Sequence, residues 1–209
     1  SLLSKAMAVV LPVVMLLIDY YQGRKITMKT IVEKIPFFIL SFIFGWLAMK
    51  IQSKEAIAGY EVFTLFHRVS FGFYGFFNYI WKLFFPVNLS CFYPYPITDL
   101  QGALPFSFYA PAFCGILLFI FVGIMSFLKK EKMKLIAFGI GFYFVTIALV
   151  LQFLSVGQVI MAERYSYVPY IGLLFILGTA LNDFIVKKHS LKNPVIIFIA
   201  TAAILFSYL

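Results

Sequence analysis

FHRVSFGFYGFFNYIWKLFF, residues 66–85, decides how this chain is threaded. Its length is about that of a helix crossing a bilayer core. Yet Arg68, Gly72, Gly75, Tyr79 and Lys82 recur at i, i+3, i+4 spacing and gather on one side, with a Phe-rich remainder. That profile predicts an interfacial or re-entrant amphipathic helix, with Trp81 and Lys82 at headgroup level. The flanking charges favour the same reading. If 66–85 crossed, an odd number of spans would separate the basic loops at 22–34 and 129–134, and one of them would face outward.

Outward from this stretch, composition leaves one fold class. Of 209 residues, 63% are hydrophobic and only 12% charged, against roughly 25% charged in soluble domains. A water-soluble fold of this size cannot hide so much apolar surface. The expectation is an all-α polytopic membrane protein with about six transmembrane helices, near 6–22, 35–51, 110–128, 135–155, 170–186 and 194–209. The alternation of a membrane β-barrel is absent. The chain opens on Ser1 without a signal-peptide layout and stops at Leu209 inside an apolar run, so a piece of a longer protein is expected.

The net charge of +9 would suggest nucleic acid in a soluble protein. Here the basic residues cluster in short links between apolar runs, and the bilayer is the expected partner, not nucleic acid. Arg24, Lys25, Lys29 and Lys34 lie in 22–34, four lysines lie in KKEKMK (129–134), and three in KKHSLKN (187–193). These links are assigned to the cytoplasm. The segment 156–169, the start of the chain around Lys5, and everything in 52–109 then lie outside. Pro86, Pro94, Pro96, Pro105 and Pro111 break the stretch after residue 85 into a Pro/aromatic-rich outer loop. Asp19 and Asp183 read as residues ending helices on the cytoplasmic side, near Arg24 and Lys187. Cys91 and Cys114 suggest neither a disulfide framework nor a metal site, and His67 and His189 are isolated.

No predicted span carries a mid-membrane charge, which argues against an ion-coupled transporter. The unusual polar residues collect on the outer side: Lys5, Arg68, Lys82, Glu163, Arg164 and tyrosines 93, 95, 165 and 167. MAERYSYVPY (161–170) is the densest group, at the mouth of a span beginning near Pro169. Two readings stand side by side. Arg164 binds a lipid phosphate beside free N–H groups of a helix start; or Arg164 snorkels, Glu163 neutralises it, and the tyrosines form an interfacial belt. Nothing resembles a nucleotide loop, a metal-ligand cluster or a nucleophile elbow, and no cofactor is expected.

Three stretches, in order, carry a family resemblance: LLSKAMAVVLPVVMLLIDYY (2–21), NYIWKLFFPVNLSCFYPYP (78–96) and VGQVIMAERYSYVPYIGLLFILG (156–178). The chain resembles the membrane part of the transmembrane and tetratricopeptide-repeat (TMTC) O-mannosyltransferases and their bacterial relatives, within the GT-C glycosyltransferases. Ala-Glu-Arg followed by tyrosine and proline is the most specific element. The resemblance implies transfer of a sugar, such as mannose, from a polyprenyl-phosphate donor to a protein or other acceptor on the outer face of the membrane. A bacterial inner membrane is preferred over the endoplasmic reticulum. It places the catalytic carboxylate before Ser1 and the repeats after Leu209, so no catalytic residue is expected here and these residues alone are expected to be inactive. It makes Arg164 the first candidate for the donor phosphate and Lys5 the second, with Glu163, Tyr165 and Tyr167 shaping the site. Tyr93, Lys82 and Arg68 are weaker outer-loop candidates. The competing expectation is a non-catalytic membrane anchor or scaffold that presents repeats to a partner.

Overall fold

A computed structural model describes residues 6–25, 27–56, 64–95, 105–127, 131–151, 153 and 159–207. The described residues are mostly helical: α1 (Leu11–Tyr21), α2 (Met28–Val32), α3 (Ile35–Ala56), α4 (Leu65–Phe84), α5 (Phe106–Phe127), α6 (Glu131–Ile147), α7 (Tyr167–Lys187) and α8 (Lys192–Ser207). Two short strands, β1 (Tyr93–Pro94) and β2 (Val159–Met161), pair antiparallel with Tyr93 opposite Met161. The all-α expectation thus holds, with one small ribbon added. Among the described residues only α7 is long and apolar enough to cross a membrane by length and composition. The apolar stretches Ala8–Tyr21, Ile35–Ala48, Phe106–Leu118 and Lys192–Leu205 are shorter.

α1 ends where Gly23 takes φ 73°. The N–H of Gly23 reaches Tyr20 O and that of Arg24 reaches Asp19 O, at 3.1 and 2.9 Å. Both bonds belong to a Schellman cap, in which glycine supplies the left-handed turn and otherwise orphaned carbonyls are satisfied. The turn that follows is clasped by charge. Arg24 bridges Glu33 (2.7 Å) and Asp19 (3.6 Å), and Lys34, only 3% exposed, also binds Asp19. The sequence places Asp19 beside Arg24; the structure adds the buried Lys34, which reaches Asp19 because α2 turns the chain back.

α6 packs on α7 without side chains between them at one point. A Cβ added to Gly172 would lie 2.5 Å from the carbonyl oxygen of Gly139 and 3.0 Å from the amide nitrogen of Tyr143. A Cβ on Gly139 would lie 2.7 Å from the oxygen of Gly172. Small residues let helix backbones approach in this way. The first turns of α6 and the last of α7 meet at one end of the bundle, where Lys132 and Asp183 pair at 3.3 Å. Tyr21 at the end of α1 packs against both helices, tilted on Phe138 (ring centroids 4.8 Å) and edge-on to Phe175 (5.5 Å). The link after α1, the start of α6 and the end of α7 therefore share one end.

At the other end lies α4. It meets α5 through Phe66–Tyr109 and Phe71–Phe108, and α6 through Phe76–Tyr143. It is a helix as predicted, but its polar-looking face is not the solvated one. Gly72, Gly75 and Tyr79 lie on its buried face together with Ser70, Phe71 and Phe76. The reason is steric: Phe153 occupies the space a Cβ on Gly72 would need, and Leu151 lies 3.1 Å from that on Gly75. These glycines are sockets for side chains, not a polar stripe.

The predicted apolar run 135–155 is also corrected. Helix α6 stops at Ile147, and residues 148–151 form a turn. Hydropathy continues past the helix because Leu151, 1% exposed, is buried under α4. Elsewhere large apolar side chains face outward on most helices, among them Phe42 (76% exposed), Phe113, Ile171, Leu174 and Phe198.

Candidate functional site

Two tyrosines, Tyr79 and Tyr170, tie the MAERYSYVPY segment to α4, and a third, Tyr143, ties α6 to α4 beside it. Tyr79, fully buried, donates its hydroxyl proton to Ala162 O and accepts from Ala162 N–H, both at 2.8 Å. Tyr143 donates to Phe76 O at 2.7 Å, and Tyr170 to Tyr79 O at 2.8 Å. Ala162, fully buried, thereby has both its backbone polar groups satisfied without water, as a buried residue must. A 3-10 turn over Glu163–Tyr165 follows, closed by Ser166, whose hydroxyl donates to Glu163 O at 2.8 Å. Helix α7 starts at once, with Pro169 in its first turn, where no proton donor is lost.

Glu163 does not neutralise its neighbour Arg164. It turns toward α4, where Lys82 Nζ lies 3.3 Å from its Oε1. Tyr93 on β1 completes the group: its hydroxyl accepts from Lys82 (2.8 Å) and from Ser90 N–H (2.9 Å), and its one proton is shared between Glu163 Oε1 and Asn88 O, both at 2.8 Å. Lys82 also reaches the carbonyls of Val87 and Asn88 at 3.2 and 3.1 Å. Asn88 turns the chain there at φ 54°, a conformation that asparagine tolerates. The Lys82 side chain is 9% exposed. Burial alone disfavours its charge, but the Tyr93 hydroxyl and the Glu163 carboxylate outweigh burial and hold its pKa above the ordinary lysine value. Burial, then Glu163, push the Tyr93 hydroxyl up, so it stays neutral and can donate.

Arg164 points the other way and is exposed. Its guanidinium donates to the Tyr165 hydroxyl at 3.2 Å and sits 5.1 Å from that ring. Among the described residues no carboxylate pairs with it. It stands at the edge of a cavity of about 570 Å³ between α1, α6 and the start of α7, walled by Leu11, Val14, Phe142, Tyr165, Tyr167 and Val168. Among the described residues the arrangement is a single cation at the rim of an apolar pocket. Such a pair can hold an anionic headgroup and shield the chain attached to it.

Of the residues expected at the site, Arg164, Tyr165 and Tyr167 come together at this cavity. Glu163, Lys82 and Tyr93 converge on one another on the other side of the 3-10 turn. Arg68 joins neither group: it precedes Lys82 on α4 by about four helical turns, roughly 21 Å. Lys5 lies outside the described residues. Tyr95 packs edge-on to Phe71, and burial pushes its hydroxyl up to about 12. The anchors Tyr79, Tyr143 and Tyr170 are not among the residues expected from sequence. The available signal is that tyrosines recur in apolar helices, each needing a partner for its hydroxyl. Among the described residues no group of histidines, cysteines and carboxylates is arranged to hold a metal.

Comparison with protein-family models, curated proteins and solved structures finds no match for this chain.

Proposed function

We propose that this chain is part of a polytopic membrane glycosyltransferase of the GT-C type, taking a polyprenyl-phosphate-linked sugar, with mannose the first choice, and passing it to a protein or other acceptor at the outer face of a bacterial inner membrane. The observation that carries the proposal is Arg164. It is a cation without a described carboxylate partner, fixed at the rim of an apolar cavity of about 570 Å³. The donor has the matching parts, a phosphodiester anion and a greasy chain, and the phosphate gains a second negative charge as the sugar leaves it. In transfer, a fixed guanidinium would stabilise the charge that builds on the departing phosphate. The outward-facing Phe42, Phe113 and Phe198 support a lipid surround for several helices. The basic links gathered at one end, with α4 and the MAERYSYVPY segment at the other, support the assigned sides.

Arg164→Ala is expected to lower transfer from a polyprenyl-phosphate mannose about a hundred-fold in membranes that contain the protein, with insertion unchanged. Unaltered transfer overturns the phosphate role. Absence of transfer in the native protein, with partner binding retained, would instead favour a scaffold. Dodecyl phosphate should bind more tightly than inorganic phosphate, and equal affinities would remove the lipid from the proposal. Sidedness has its own check in Cys91, which is exposed. With Cys114 replaced by alanine, a membrane-impermeant maleimide should label Cys91 from the outer face of sealed vesicles. Labelling from the cytoplasmic face alone reverses the orientation.

A further inference from the structure

We infer that Lys82 is a charge-compensating positioning residue: it takes up the carboxylate of Glu163 and so leaves Arg164 as an uncompensated cation for a lipid-linked phosphate. The inference rests on Arg164 holding that phosphate. Glu163 and Arg164 are adjacent in sequence, and a carboxylate beside a phosphate site repels the ligand as strongly as an arginine attracts it. In the structure that carboxylate is withdrawn. Its Oε1 accepts from Tyr93 at 2.8 Å and lies 3.3 Å from Lys82. Arg164 faces the cavity with Tyr165 instead.

Lys82 is built for this task rather than for contact with ligand. Its side chain is nearly enclosed, and its ammonium is held by Tyr93 and by the carbonyls of Val87 and Asn88. It is absent from the cavity wall around Arg164. The three charges Lys82, Glu163 and Arg164 sum to one positive charge. Removing Lys82 brings the sum to zero, and removing the Glu163 charge raises it to two.

The signs make the inference testable by titrating dodecyl phosphate into the purified protein in detergent. Lys82→Met should weaken binding about ten-fold. Glu163→Gln should tighten it several-fold, although it breaks the same ion pair. The double variant Lys82→Met/Glu163→Gln should return to within about two-fold of native, a non-additive result diagnostic of charge. Lys82→Arg, which keeps the charge, should stay close to native. If Lys82 served only to hold the loop, Glu163→Gln would weaken binding and the double variant would stay weak, and either result overturns the inference. Glu163→Gln decides between the two roles even where Lys82→Met does not fold. Arg164→Ala separates the two levels. Loss of binding there, with no tightening in Glu163→Gln, sinks the inference alone. Native binding in Arg164→Ala sinks the phosphate site itself.

Discussion

Gly172→Val is expected to melt far below the native protein. The added Cβ would press on backbone from two directions, the Gly139 oxygen at 2.5 Å and the Tyr143 nitrogen at 3.0 Å. Backbone in the middle of a helix cannot swing aside as the end of a side chain can, so α6 and α7 would have to separate. Overpacking in a tight interior costs about 1–3 kcal/mol, and a backbone-to-backbone contact belongs at the top of that range, about 3 kcal/mol. Since whole domains are stable by only about 5–15 kcal/mol, the melting temperature in detergent should fall steeply. Gly123→Ala and Gly178→Ala are the controls. A Cβ on either meets nothing within 4 Å, and alanine is the better helix former by about 1 kcal/mol. They should melt at or slightly above the native temperature. Equal melting of Gly172→Val and native would refute the close packing of α6 on α7.

Tyr79→Phe should be nearly as costly, and for a different reason. No volume changes, but one hydroxyl serves both the N–H and the C=O of Ala162 at 2.8 Å. Ala162 and Tyr79 are both fully buried, so no water replaces the lost bonds. Each buried group left unsatisfied costs about 1–3 kcal/mol, or about 3 kcal/mol for the two. Thermal unfolding measures the total. Protease cleavage after Arg164 at temperatures below unfolding measures where the loss falls, and it should rise sharply. A variant as stable and as resistant as native would show that Tyr79 does not anchor the segment. Tyr93→Phe would remove a more exposed hydroxyl and should cost less.

What the sequence discloses and what it withholds differ by physical type. The apolar run of α7 is legible because a continuous greasy segment with a proline in its first turn and lysines at its end has few ways to satisfy its backbone. That 66–85 is helical is equally legible. Its orientation about its own axis is not. Gly72, Gly75 and Tyr79 look polar beside so many phenylalanines, yet polarity is not the property that decides. Glycine marks space, and the Phe153 and Leu151 that use it lie some eighty residues downstream. The length of α6 is overestimated from sequence because hydropathy records where side chains go, not how regular the backbone is. Arg164 does stand at the cavity, whereas the expected partner of Glu163, the adjacent arginine, is not the one it takes. Adjacent residues on a turn do not face each other, while Lys82, distant in the chain, does. Pairings of that kind require knowing how helices pack before any side chain can be matched.

The bond between Tyr79 and Ala162 joins residues 83 positions apart, with α5 and α6 lying between them in the chain. During synthesis, at about 5–20 residues per second, roughly 4 to 17 s pass after Tyr79 is made before Ala162 exists. Throughout that interval Lys82 has no Glu163, the buried face of α4 has no loop to cover it, and two further helices must be placed. The clasp that turns Glu163 away from Arg164 thus closes only after α5 and α6 are made, and a protein whose helices form but are wrongly arranged would lack it. Withdrawal of Glu163 from Arg164 and the covering of the buried face of α4 become a single event in time.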